Sequence, residues 1–346
     1  MNKGQAMIRH IWKAYLVPRL PALTQLALLV LVAALLLYPS PFMQYQLPAI
    51  WQNSDLTISH WPTAILIKRT ILQEHQLPLW NPYYAGGQPL IADPLAALFY
   101  PPTYLVLFLS LRNYYLVLMM GHLVFAGLGM LLLARYAAGL SRFSALVAAI
   151  CFMATPRLLS HLGAGHITLL QTVSWYPWLA LACWATVREP LRRSPLLGIC
   201  IALTLLAGHP QMAYYGLLMT AALASWLLVK RWRLEGLRAL LLSMAGLMVA
   251  GVIGFLLAAI HLLPLMQFTA LSTRQLSVAG IDVYPLRPFL HALIFQPPPI
   301  GSSWEGIISP GSVVLALALF AVTIYWRKTW PLLLGIVLVA LLAMGY

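Results

Sequence analysis

Three of the chain's seven acidic residues, Asp55, Glu74 and Asp93, fall in one stretch, 55–102, beside two cations (Lys68, Arg69) and two histidines (His60, His75). Carboxylates with basic and imidazole groups nearby suit acid–base work on a phosphorylated substrate. One carboxylate can take a proton from an acceptor hydroxyl while cations hold a departing phosphate. Asp55 is the candidate base. Candidates for the cationic role are Lys68, Arg69 and, further along, Arg157, His166 and His209. Plainer roles stand beside these. Asp55 can cap a helix or be solvated in a loop, and Asp93, ahead of Pro94, has the placement of a turn starter. Asp55, Asp93 and a histidine have the donor types for a divalent metal, but no H-x-x-x-H or comparable spacing groups them. Trp61, Trp175 and Trp178 read as membrane-interface belt residues. Trp80, fixed between Pro78 and Pro82 in PLWNP, reads instead as a platform for a sugar ring, with Asn81 beside it.

The surroundings of this stretch are hydrocarbon. Hydrophobic residues make up 62% of the chain and charged residues 8%, with mean hydropathy +0.84. A soluble domain carries roughly 25% charge, so the chain reads as one polytopic, all-α membrane domain over 1–346. The net charge of +14 does not signal nucleic acid, because the basic residues are dispersed in short clusters between apolar runs. Cys151, Cys183 and Cys200 lie inside apolar runs without C-x-x-C spacing, which argues against a disulfide framework or a zinc site.

The apolar runs predict nine spans: 23–38, 113–134, 143–160, 167–187, 195–208, 211–229, 239–264, 311–326 and 330–346. Lys3, Arg9, Lys13 and Arg19 precede the first, and no A-x-A cleavage site follows it, so it reads as an uncleaved span with a cytoplasmic N-terminus. On that assignment fifteen of the twenty-one basic residues lie inside, which the positive-inside rule requires. Two large extracytoplasmic loops result, 39–112 and 265–310. Within the first, Pro62 suits the opening of an interfacial helix over 62–76. The run 97–111, broken by Pro101 and Pro102, is too short to cross ~30 Å of hydrocarbon comfortably and reads as re-entrant or interfacial, with a tilted span as the alternative.

Two small-residue patterns bear on packing and on the site. Gly246, Ala250 and Gly254 recur every fourth residue, as on a helix face built for close approach, although membrane helices are in any case rich in Gly and Ala. The pair Gly-His occurs at Gly121-His122, Gly165-His166 and Gly208-His209. The second and third fall at outer ends of spans, on the side of the large loop.

The series Asp55 … Trp61-Pro62 … Leu77-Pro78-Leu79-Trp80-Asn81-Pro82 … Gly86-Gly87-Gln88-Pro89-Leu90 … Phe99-Tyr100-Pro101-Pro102 resembles the first outer loop of the YfhO family of bacterial membrane proteins. That family belongs with the GT-C superfamily of glycosyltransferases. The likeness extends to GAGHITLLQ (163–171), to AGHPQMAYYG (207–216), which holds His209 and Gln211, and to WEGIISPGSVVLALALF (304–320). The resemblance implies a GT-C-like helical fold in the bacterial cytoplasmic membrane, with a catalytic aspartate in the first outer loop, here Asp55. It implies a polyprenyl-phosphate-linked sugar as donor and a cell-envelope glycan or lipid as acceptor. Lys68, Arg69, Trp80, Asn81, Asp93, Arg157, His166, His209 and Gln211 are then the candidate substrate-binding residues. Members of the family are usually longer, so an N-terminal fragment of a larger protein is also expected.

The rival reading is non-catalytic: a scaffold of an envelope assembly, or a transporter of lipid-linked saccharides. Transporters place ionisable residues in mid-membrane or break helices in paired positions. Here the polar groups gather at one end of the spans, which favours chemistry at the surface.

Overall fold

The computed structural model describes residues 20–38, 54–84, 86–271, 291, 293 and 309–343. Most of the second predicted loop, 265–310, and the start of the first, 39–53, lie outside the described residues. The described chain is almost entirely helical, with one two-residue hairpin in the polar stretch.

The helices are α1 (Leu20–Leu37), α2 (Trp61–Leu72), α3 (Leu111–Leu132), α4 (Arg142–Met153), α5 (Pro156–Gly163), α6 (Ile167–Val173), α7 (Tyr176–Arg188), α8 (Ser194–Leu206), α9 (Pro210–Ala270), α10 (Ser312–Ile324) and α11 (Trp326–Ala343). Each predicted apolar span falls on one or two of them. Proline explains the breaks. Pro156 separates α4 from α5, and Pro177 stands in the first turn of α7, just after α6 ends. A proline has no N–H for the carbonyl four residues back, and its ring crowds that carbonyl. The predicted spans 211–229 and 239–264 are the two arms of α9, which reverses at Gly236 (φ 83°, ψ −176°). Its second arm continues to Ala270, past the predicted end of the span.

Among the described residues, three stretches are long and apolar enough to cross a membrane: Leu111–Ala137, Arg142–Gly163 and Pro210–Ala270. The apolar helices α8 and α10 have 13 residues each, reaching only about 20 Å at ~1.5 Å per residue. Large apolar side chains such as Leu35, Met248, Leu256 and Leu332 face outward along α1, α9 and α11. Such continuous exposed apolar surface suits hydrocarbon better than water.

Contacts divide the bundle into two ends. At one, Arg142 accepts from Gln25, Val187 accepts from Ser243, and Glu189 bonds Arg192 and Arg193. At the other, the polar stretch meets the starts of α6 and α9 and the far part of the second arm of α9, where the His261 ring bonds the Ile91 carbonyl at 3.0 Å. The passes α1, α3, α4–α5, α6–α7, α8 and the two arms of α9 therefore run alternately up and down.

Several buried polar groups within the bundle are paired. His122 Nδ1 lies 2.7 Å from the Leu118 carbonyl and must donate to it. Its Nε2 then accepts from the Tyr100 hydroxyl at 2.8 Å, and Trp175 Nε1 donates to that hydroxyl oxygen at 3.0 Å. The first Gly-His pair is thus structural. Trp175 and Trp178 are corrected from belt residues to packing residues. Both rings lie against Phe125, and Trp178 Nε1 donates to the Phe125 carbonyl.

The small-residue face of α9 packs as its spacing implies. A Cβ on Gly254 would come within 2.5 Å of Ile201 Cγ2 in α8, and one on Gly246 within 3.1 Å of Pro190, whereas one on Gly251 meets nothing. Gly254→Val should destabilise the protein by about 1–3 kcal/mol through overpacking, while Gly251→Ala should leave stability nearly unchanged. Thermal melts of the purified protein in detergent would check this, and equal melting temperatures for the two variants would contradict it.

Candidate functional site

Asp55 stands at the start of the helix that carries the polar stretch. That helix opens with a wide π-helical turn, Leu56–His60, whose closing bond runs from the Trp61 N–H to the Leu56 carbonyl, and continues as α2. The predicted interfacial helix over 62–76 is therefore corrected to Leu56–Leu72. Pro62 lies inside the helical path, where it cannot donate to Ile58, and a wide turn just ahead of such a residue relieves the crowding. After α2 come strands β1 (Trp80–Asn81) and β2 (Gln88–Pro89), antiparallel, then three short 3₁₀ turns. The 97–111 run, read as re-entrant or interfacial with a tilted span as the alternative, holds no helix long enough for the tilted span. Its only regular element is Pro101–Leu107, about 14 Å long at ~2.0 Å per residue.

Asp55 and His166 meet. His166 Nε2 lies 3.0 Å from Asp55 Oδ2, with the imidazole largely covered and the carboxylate largely exposed. His166 Nδ1 in turn lies 2.8 Å from His161 Nδ1. With both rings neutral, only one hydrogen pattern fits. His166 donates from Nε2 to the carboxylate, so its Nδ1 accepts from His161 Nδ1–H, and His161 Nε2 is left bare. That nitrogen is buried and has no hydrogen-bond partner among the described residues. The result is a carboxylate–imidazole–imidazole chain ending in a buried lone pair.

Glycine makes the contact possible. Gly165 has φ +88°, and a Cβ there would lie 2.7 Å from the Leu56 nitrogen and 2.9 Å from Leu56 Cβ. Gly208 has φ +99°, and its Cβ would lie 2.8 Å from the Pro94 carbonyl oxygen. At both positions the backbone turn and the close approach require glycine, and each delivers the following histidine to the loop. The ring of His209 accepts the Met212 N–H at 3.4 Å, capping α9. A Cβ on Gly121, in the first pair, meets nothing.

The other predicted site residues divide. Arg157 lies one helical turn before His161 on α5, on the same face. Gln211, in the first turn of α9, donates to the Tyr215 hydroxyl at 3.0 Å. Arg69, Asn81 and Asp93 line a separate groove of about 560 Å³ between α2 and the hairpin. Arg69 also pairs with Glu74 at 3.3 Å. Asp93 caps its 3₁₀ turn by accepting the Leu95 N–H at 2.9 Å. Burial raises the Asp93 carboxyl above the ordinary range, opposed by the Leu95 amide and the His261 ring. Lys68 Nζ donates to the Leu109 carbonyl at 2.7 Å, tying α2 to the chain just ahead of α3. Trp80 is half-exposed and packs over Gly87, where a Cβ would lie 2.8 Å from its ring. Among the described residues, no three His, Cys, Asp or Glu side chains converge as a metal ion requires.

Sequence reasoning passed over His161 and, having noted His60 in the polar stretch, gave it no role. The signal for His161 was present in SHLGAGH, where three small residues (Gly163, Ala164 and Gly165) between the histidines allow a tight reversal that brings the rings together. His60 is buried, and its backbone carbonyl accepts from the Tyr115 hydroxyl at 2.7 Å. Burial lowers its pKa to about 4, with the Asp55 charge acting in the opposite direction. Burial, helped by nearby His166, also lowers that of His209.

Comparison with protein-family models, with curated proteins and with solved structures finds no match to this chain.

The depressed His60 has a consequence for stability. Unfolding returns its pKa from about 4 toward 6.5, so between those values the unfolded chain binds more protons. Its contribution is complete above the unfolded value and falls as the pH drops. Acidification from about pH 7 to about pH 5 should cost about 2 kcal/mol through His60, and His60→Gln should flatten the pH dependence of the melting temperature. An unchanged slope in that variant would refute the assignment.

Proposed function

We propose that the chain is an integral-membrane, inverting glycosyltransferase of the GT-C type, related to the YfhO family. On this reading about nine spans hold it in a bacterial cytoplasmic membrane, with the N-terminus in the cytoplasm and the 55–102 stretch outside. The observation that carries the proposal is the 3.0 Å contact between Asp55 and His166 at the polar end of an otherwise apolar bundle.

The donor is a polyprenyl-phosphate sugar, whose tail suits the outward apolar faces of the helices, and the acceptor is a hydroxyl on a cell-envelope glycan or lipid. Asp55 accepts the proton of the acceptor hydroxyl. His166, bonded to Oδ2, restricts rotation of the carboxylate and leaves Oδ1 for the incoming hydroxyl. The acceptor oxygen bonds to the anomeric carbon as the carbon–oxygen bond to phosphate breaks on the opposite face. That bond's electron pair leaves with the phosphate, which gains one negative charge. Arg157, within electrostatic reach of His161, supplies the positive side of the field that this charge meets, and His209, whose Nδ1 accepts from Met212, adds a neutral donor at Nε2. The proton received at Asp55 leaves to solvent from the largely exposed carboxylate.

The test is sugar transfer in membranes supplied with labelled polyprenyl-phosphate sugars. Asp55→Asn should lower the rate by at least ~10²-fold, as loss of a general base does, with the melting temperature preserved. Transfer that survives this variant would remove Asp55 as base. Absence of transfer by the unmodified protein across a broad donor panel would favour the scaffold or the saccharide transporter.

A further inference from the structure

The groove between α2 and the hairpin does not belong to the Asp55–His166 centre. Its floor is one face of the helical path, from Ile58 and Ser59 through Pro62 and Leu66 to Arg69, and its wall is the β1–β2 hairpin with the Asp93 turn. Ile58 and Ser59 lie three and four residues after Asp55, so the groove begins about one helical turn from the carboxylate.

The lining selects a class of ligand. Asn81 and Gln88 are direct cross-strand partners, which sets two primary amides side by side, roughly 5 Å apart at Cβ. Asn81 spends its oxygen on the Tyr83 N–H at 3.0 Å, and its NH₂ has no hydrogen-bond partner among the described residues. Asp93 supplies an acceptor, Arg69 supplies donors, and Tyr83 and Tyr84 add aromatic faces and hydroxyls. An anion would be repelled by Asp93, a cation by Arg69, and a purely apolar ligand would cover the remaining polar atoms of four side chains without bonding them. A neutral molecule dense in hydroxyls satisfies all of them, because each hydroxyl both donates and accepts. At about 560 Å³ the groove also falls within the ~300–1,000 Å³ of ordinary small-molecule sites.

We propose that this groove binds a pyranose unit of a saccharide, held by Arg69, Asn81, Gln88 and Asp93 against Tyr83 and Tyr84. The proposal rests on the transferase reading only for what the bound sugar is for: it sets a sugar beside the proton acceptor. The unit can belong to the donor or to the acceptor.

Binding of free glucose, galactose and N-acetylglucosamine to the purified full chain can be followed by saturation-transfer NMR and by tryptophan fluorescence, Trp80 being the reporter. Saturable binding should weaken roughly tenfold in Gln88→Ala and in Tyr84→Ala, neither of which removes a described side-chain hydrogen bond. Asp55→Asn should leave binding within about twofold while abolishing transfer, so failure of the base and failure of the groove are separable. In the transfer assay, a raised KM for acceptor in Gln88→Ala assigns the unit to the acceptor, and a raised KM for donor assigns it to the donor. Either outcome supports the groove. Displacement of the sugars by inorganic phosphate would overturn the proposal in favour of an anion site at Arg69. Binding unaffected by both groove variants, or no saturable binding of any of the three sugars, would overturn it outright.

Discussion

Two close backbone approaches govern the polar end of this molecule. At Gly165 and Gly208 the chain turns with positive φ and packs against Leu56 and Pro94, at distances that a single Cβ would close to under 3 Å. Both residues stand where one helix stops and the next begins, so each contact joins helix ends to the loop. A loop fastened at two such points can present a carboxylate to an imidazole at hydrogen-bond distance. Held only by its own turn, the same loop would sample many orientations, and the contact would lose the restriction that makes it useful.

Several of the bundle's internal polar groups answer one another, although Gln171 Oε1 and Thr172 Oγ1 have no hydrogen-bond partner among the described residues. Tyr100 shows how tightly this is arranged, since it comes from the polar stretch yet is buried in the bundle. Its hydroxyl donates to His122 and accepts from Trp175, so one side chain of the loop satisfies groups on two different helices. Lys68 and His261 repeat the device, each spending a side-chain donor or ring on a backbone carbonyl that no helix uses. Unpaired polar groups in an apolar interior cost several kcal/mol each, roughly. The polar stretch is therefore part of the helical packing and not an appendage to it.

Much of this was legible in the sequence, for physical reasons that also explain what was not. Apolar run length located the helices, because burying backbone polar groups in hydrocarbon leaves helix as the economical solution. Their breaks were less legible. Pro156 and Pro177 sit inside stretches that read as continuous spans, and hydropathy averaged over a span does not register a missing N–H. The reversal at Gly236 lies within one helical path and was anticipated only through the basic cluster around it. At the site, Asp55 and His166 were both named, but their pairing spans more than a hundred residues and no local pattern encodes it. Lys68 and Arg69 looked equivalent as neighbouring cations. One step of helix rotation separates them, and it sends one to the Leu109 carbonyl and the other to the groove. The tryptophans misled because an amphipathic ring serves an interface and a helix crossing equally well. The Trp178 N–H found its partner in the Phe125 carbonyl, inside the bundle.

The choice of histidines rather than fixed cations at the loop end follows from the same cost of burial. A lysine or arginine in the places of His60 and His161, both nearly inaccessible, would keep its charge or forfeit much of its stability. An imidazole can be neutral while the fold forms and still accept a proton when one arrives. The neighbours enforce that order: the carboxylate engages one ring, that ring engages the next, and the last nitrogen is held bare. Every donor in this chain points toward the carboxylate, so the negative charge at Asp55 polarises both rings in one direction. The buried position of the histidines and their capacity to receive a proton are thus two consequences of one arrangement, set by where the glycines allow the chain to turn.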